Sequence, residues 1–185
     1  DYIFRNPISE EEFDARFGGE EHGEEDEEEH EHGEEFAFIE FVSADSVLQG
    51  IESHADVELG RGLHVELGLD YIRGELRDGN RPLPRIPPFR GLVGLTWQRN
   101  AFQAGGEVIA VSKQDRVFGE ETPTAGYANV RLFSAYSFGS GNLVHTVTAR
   151  LDNATNELYR NHLSLIKDLA PEMGRNVKLV YSLQF

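Results

Sequence analysis

The sequence predicts an all-β fold, a transmembrane antiparallel β-barrel, and three observations predict it. Stretch after stretch alternates apolar and polar residues. In Arg175 to Phe185, Val177, Leu179, Tyr181, Leu183 and Phe185 are apolar, while Asn176, Lys178, Ser182 and Gln184 between them are polar. Successive strand side chains point to opposite faces, so a period of two gives one apolar face and one wet face. The connections also alternate, short at 60–62, 99–101 and 139–142 and long at 7–35, 77–88, 118–125 and 152–174. That layout puts short turns on one rim and long loops on the other. A soluble sandwich has no reason to sort turn lengths by side. Finally, Tyr71, Trp97, Phe102, Tyr136 and Phe138 fall near strand ends, where an interfacial girdle would place them.

Taken in order, Tyr2 to Arg5 reads as the tail of a strand already under way, so the chain is expected to be a C-terminal piece of something longer. Asn6-Pro7 ends that strand, because proline cannot donate into a ladder. Residues 7–35 are low-complexity and acidic, with Gly18-Gly19, Gly23 and Gly33 as breakers, and read as one long loop. Pairing resumes at Phe36 and continues to about Leu59. Its second half sets Ile51, Ala55, Val57 and Leu59 against Glu52, His54, Asp56 and Glu58. After Gly60-Arg61-Gly62, Leu63 to Leu76 returns with Leu63, Val65, Leu67, Leu69 and Tyr71 on one face and His64, Glu66 and Asp70 on the other. Gly79, Pro82, Pro84, Pro87 and Pro88 make 77–88 a loop. Gly91, Val93, Leu95 and Trp97 outline a strand ending near Asn100, Phe102 to Val117 runs back, and 119–125 is a loop. Val130, Leu132, Tyr136 and Phe138 outline the sixth strand, closed by Gly139-Ser140-Gly141-Asn142. Leu143, Val147, Ala149 and Leu151 outline the seventh, and 152–174 is the last long loop. About eight strands result, each antiparallel to the next.

No run of about 18 apolar residues exists, so no helix is long and apolar enough to cross a membrane. Barrel strands pass that filter unseen, because alternation keeps their mean hydropathy low. The chain has no cysteine, which removes disulfides and thiolate metal sites. Its formal charge of -16 comes almost wholly from Glu10 to Glu35, where only Arg16 opposes the acids. The charge therefore belongs to one loop, and an acidic surface excludes nucleic acid as a partner. No nucleophile motif, phosphate-binding glycine loop or catalytic constellation marks an enzyme.

The acidic loop carries its own chemistry. Imidazole and carboxylate suit borderline divalent metals, so zinc, nickel, copper or manganese could be held there. His30 and His32 could reach one ion from an extended loop, with His22 folding back, and Glu29-His30-Glu31-His32 is the densest patch. The competing reading is a solvated loop whose carboxylates repel one another. His162, in the last long loop, is expected beside the acidic loop as a further ligand. His54 and His64 lie among carboxylates on the inward faces, with His64 expected near Glu58 or Asp56. His145 falls on the apolar register near a turn and reads as an interfacial residue.

Three segments resemble a known family. Leu151 to Arg160 resembles the penultimate-strand pattern of TonB-dependent outer-membrane receptors, with Ala154-Thr155-Asn156 where the family more often has Leu-Phe-Asp. Ala170 to Asn176 is similar to the Pro-x-x-Gly-Arg segment entering the last strand, and the aromatic Phe185 matches the usual barrel end. The resemblance implies that residues 1–185 are about the last eight strands of a barrel of about 22 strands, in the outer membrane of a Gram-negative bacterium. It implies transport driven by TonB through an N-terminal plug that this chain lacks, with outer-membrane lipid around the barrel and no resident cofactor. Receptors of the family for zinc carry His- and acid-rich outer loops, which makes zinc the first expected cargo, with His22, Glu29, His30, Glu31, His32 and His162 as metal ligands. A haem or siderophore receptor is the alternative transport reading, and a passive porin or adhesin barrel the alternative of another class.

Overall fold

The computed structural model describes residues 2–17 and 38–185. Among these, nine strands and one short helix form two compact units, divided at Ser46–Val47.

In the first unit, β1 (Tyr2–Ile8) pairs antiparallel with β2 (Phe38–Ala44), from Tyr2 opposite Ala44 to Ile8 opposite Phe38. Phe4 and Ile8 are buried. The strand thus runs past Pro7, which the sequence reading took as its end. A residue without an N–H fits here because β1 has only one hydrogen-bonded neighbour in its sheet. A helix, α1 (Glu10–Phe17), follows where a loop was expected. Its cause is legible afterwards: Ser9 Oγ accepts the Glu12 N–H at 3.2 Å, the Ser-x-x-Glu arrangement of a helix start. Arg16 in the last turn reaches Glu12 at 2.6 Å and Glu40 of β2 at 3.0 Å.

The second unit is a seven-stranded antiparallel sheet in strict chain order. It comprises β3 (Ser46–Gly60), β4 (Leu63–Leu76), β5 (Arg90–Arg99), β6 (Phe102–Val111), β7 (Tyr127–Ser140), β8 (Leu143–Asp152) and β9 (Asn176–Gln184). The stretch expected to be one strand from 36 to 59 is divided at Asp45 into β2 and β3, which belong to separate sheets. The strand expected to reach Val117 ends at Val111, and a bridge between Gln114 and Thr124 pinches the loop that follows. Tight connections need positive φ: Gly60, Arg61 and Gly62 all have it, at 82°, 55° and 76°. A side chain on Gly62 would also meet the Gln98 carbonyl oxygen at 1.9 Å. Only glycine fits there.

Register assigns the faces. Leu63, Val65 and Leu67 oppose Trp97, Leu95 and Val93, and Val93 and Trp97 oppose Val108 and Ala104. Phe102, Gly106 and Val108 oppose Tyr136, Leu132 and Val130. Leu132, Tyr136 and Phe138 oppose Leu151, Val147 and His145, which oppose Val177, Tyr181 and Leu183. One face is therefore apolar from β4 to β9, and it is exposed, with Leu95 at 50% and Leu179 at 75%. Among the described residues of this unit, Leu76 and Leu83 are the buried hydrophobics, and both belong to the base of a long loop. A soluble sheet would cover its greasy face; a contiguous exposed apolar face of this kind marks contact with another apolar medium. Trp97 and Phe102 meet edge to face, and Phe138 stacks on His145 at 4.8 Å, all near the short turns. His145 Nδ1 lies 2.7 Å from the Tyr181 hydroxyl, so this ring nitrogen is partnered within the aromatic band.

A charge on the apolar face should be far more costly than one on its reverse. Leu95→Arg is expected to destabilise the full-length protein in lipid vesicles by about 2–4 kcal/mol, and the neighbouring Thr96→Arg by about 1 kcal/mol or less. Urea unfolding of both variants gives the comparison, and equal costs would mean that the apolar face does not meet lipid.

Candidate functional site

The reverse of the sheet is polar and largely neutralised within itself. Arg90 of β5 pairs with Asp70 of β4 at 2.6 Å, and Arg131 of β7 with Glu107 of β6 at 2.7 Å. Asp152 closes β8 and draws Lys178 to 2.8 Å and Arg150 to 3.5 Å. On β3, His54 Nε2 lies 2.9 Å from Asp56, and its Nδ1 approaches Glu66 of β4 at 4.0 Å. His54 thus meets carboxylates on its own strand, as the sequence suggested, and also one on the neighbouring strand. These side chains are half-exposed, so each pair is worth at most about 1 kcal/mol. Their effect is to cancel charge along the wall.

Of the long loops 77–89, 112–126 and 153–175, the last two hold the buried polar groups, except for Asn129 of β7. Gln114 donates from Nε2 to the Ile86 carbonyl at 2.9 Å and accepts the Arg116 N–H at 3.1 Å, tying two loops together. Arg116 also pairs with Glu75 at the end of β4. Asn153, only 2% exposed and at φ 50°, anchors the last loop. Its Oδ1 accepts the Glu157 N–H at 2.8 Å, and its Nδ2 donates to the carbonyls of Glu157 at 2.9 Å and Met173 at 3.2 Å. Asn156 Oδ1 accepts the Arg175 N–H at 3.0 Å, so both ends of the loop are clamped together.

His162 lies inside this layer, 3% exposed. Its Nδ1 lies 3.1 Å from Thr124 Oγ1 and 3.4 Å from Lys167 Nζ. An ammonium can only donate, so Nδ1 accepts and the neutral ring carries its proton on Nε2. Nε2 sits 3.2 Å from Glu121 Oε1 but off the hydrogen-bonding direction, and has no hydrogen-bond partner. Burial first, then the Lys167 ammonium, hold the His162 pKa below the usual histidine value against the opposing pull of Glu121. The residue expected as a surface ligand is thus a packed member of the loop layer, and the neighbouring ammonium disfavours a metal ion on it.

His22, Glu29, His30, Glu31 and His32 lie outside the described residues. Among the described residues no group of three metal-ligating side chains converges. The polar face does offer open pockets. One of about 640 Å³ is lined by Glu52, Asp70, Arg90 and Tyr127 together with Asn161 and Leu163 of the last loop. Another, of about 350 Å³, is lined by Arg131, Arg150, Asp152, Lys178 and Glu172.

A sheet with an exposed apolar face, an aromatic band at the short turns, a charge-paired reverse and a layer of long loops is part of the wall of a membrane transport barrel. The chain matches the family described as TonB dependent receptor-like, beta-barrel, over residues 4–154, and it belongs to that family. Members of the family are outer-membrane transport proteins rather than enzymes. Two solved structures share the fold. The copper transporter OprC is 24% identical with a TM-score of 0.68, over 80% of this chain and 24% of its own. BauA, the ferric preacinetobactin receptor from Acinetobacter baumannii, is 21% identical with a TM-score of 0.62, over 77% of this chain and 23% of its own. The chain therefore spans about a quarter of the length of either, and its sheet is a partial barrel. No curated relative matches it.

Asn153→Ala should loosen the 153–175 loop by about 2–3 kcal/mol, from the buried bonds lost and an alanine forced to positive φ. Limited proteolysis should then cut within 153–175 and leave the strands intact. An unchanged cleavage pattern would show that the loop is held by other contacts.

Proposed function

We propose that this chain is the C-terminal barrel portion of an outer-membrane receptor that imports a metal, free or chelated, with a divalent ion as cargo and zinc first. The observation that carries the reading is the exposed apolar face backed by a charge-paired polar wall, in a member of the TonB-dependent receptor family. His22, Glu29, His30, Glu31 and His32 supply an imidazole and carboxylate set without thiolate, which suits zinc or copper(II) and binds either only when the imidazoles are neutral. The likeness to a copper transporter supports a metal cargo and makes copper(II) the first competitor. At the same nitrogen and oxygen donors copper(II) binds more tightly, so zinc selectivity would have to come from geometry. Energy would enter from TonB through a plug folded in the complete barrel.

A second reading is import of a ferric chelate. Arg131, Arg150 and Lys178 around the 350 Å³ pocket favour it, since they offer donors to an anionic ligand. The likeness to a siderophore receptor supports the same reading.

Calorimetric titration of the full-length receptor in detergent with zinc and with copper(II), beside the His22→Ala/His30→Ala/His32→Ala variant, separates these. Binding that weakens about tenfold or more in the variant, a loss of about 1.4 kcal/mol, is the expected result. Unchanged binding moves the metal site off the acidic loop. No binding of either ion sinks the divalent-metal reading and puts the chelate first.

A further inference from the structure

The last long loop is fastened to its neighbour by a compact polar cluster. From 112–126 come Glu121, Thr122 and Thr124; from 153–175 come His162, Lys167 and Asp168. Lys167 Nζ donates to the Thr122 carbonyl at 2.8 Å and lies 3.5 Å from Glu121, while Thr122 Oγ1 donates to Asp168 at 2.6 Å. Thr124 and Glu121 flank the two nitrogens of His162 at 3.1 Å and 3.2 Å. Glu121 is itself oriented by the Arg85 N–H, at 3.2 Å on its other oxygen, and Arg160 donates to the Lys167 carbonyl. We propose that this cluster is an acid-released latch: it pins loop 153–175 on loop 112–126 at neutral pH, and protonation of His162 lets the loop go.

The cluster balances only with a neutral imidazole. Lys167 and Glu121 then form one buried cation and one nearly buried anion, and Nδ1 is free to accept from Lys167. An imidazolium presents donors on both nitrogens, so Nδ1–H would face the ammonium and that contact would turn into a clash of two cations. Of the charged groups facing the ring, Glu121 alone favours the imidazolium. Asp168 is engaged by the Thr122 hydroxyl, and the Arg160 guanidinium by the Lys167 carbonyl. The docked ring titrates below the free value of about 6.5, so its contribution to docking is complete above that pH and is lost as pH falls through the docked value.

Release would have a direct structural consequence. Asn161 and Leu163, flanking His162, line the 640 Å³ pocket on the polar face. Undocking the loop removes that wall and opens the pocket, whichever cargo the receptor carries.

Hydrogen–deuterium exchange of the full-length receptor in lipid nanodiscs, corrected for intrinsic rates, tests the latch between about pH 7.5 and about pH 5. Protection of peptides covering 112–126 and 153–175 is expected to fall about tenfold or more with a midpoint in the histidine range, while β5 to β8 stay unchanged. Full protection of both loops at the lower pH overturns the proposal. A midpoint near 4 also overturns it, because it assigns release to Glu121 or Asp168. His162→Gln, if docked at neutral pH, should keep its protection on acidification, and release with the wild-type midpoint would exclude His162. If that variant is undocked throughout, the wild-type midpoint alone decides.

Discussion

The structure depends on one constraint: in lipid a backbone N–H or C=O has no water to bond, so every one must find a partner strand. The unbroken antiparallel order β3 to β9 meets that demand for the interior strands. Once the ladder is satisfied, side-chain alternation follows from the pleat, and the apolar face can stay exposed without a protein core beneath it. This accounts for a sheet whose buried aliphatics are confined to the base of one loop. It also accounts for the turn chemistry, since short connections at the rim must reverse the chain within two or three residues and recruit positive φ at Gly60, Arg61, Gly62, Asn100 and Gly141.

The two rims are stabilised differently. At the short turns, aromatic rings pack on one another and His145 is bonded to Tyr181, which suits a depth where apolar bodies carry polar tips. At the long loops, buried amides and ionisable groups do the joining. Asn153, Gln114 and Lys167 spend their polar side-chain atoms on backbone groups, and His162 Nδ1 is met by Thr124 and Lys167. Between the rims, the polar wall is set with opposed charges in pairs, so this part of the barrel presents little net field.

Much of this was legible in the sequence. A period of two survives in any alternating strand, so the strands from Leu63 onward, their apolar face and the short turns were readable. Two local features were missed although their signals were present. Ser9 and Glu12 spelled a helix start within a stretch read only as acidic, and Asp45 interrupts a run read as continuous. The position of His162 was not legible at all. Its burial depends on Glu121 and Thr124, some forty residues earlier, and loop composition carries no record of which loops meet. The approach of His54 to Glu66 has the same origin: it turns on the stagger across one hairpin, which a pattern of alternation leaves open.

Asp152 has a consequence for how the last strand finds its alignment. Arg150 and Lys178 are direct cross-strand partners, like charges that would repel, and both bend to Asp152 at the end of the ladder. Sliding β9 by one residue would turn its apolar side chains to the polar wall. Sliding it by two would keep the faces right, but in one direction it would carry Lys178 about 7 Å along the strand, away from Asp152. It would also draw the Met173 carbonyl away from Asn153. The carboxylate and the amide beside it therefore act as a stop against misalignment: hydrophobic matching rejects the odd slips, and this pair rejects the even ones that hydrophobicity cannot detect.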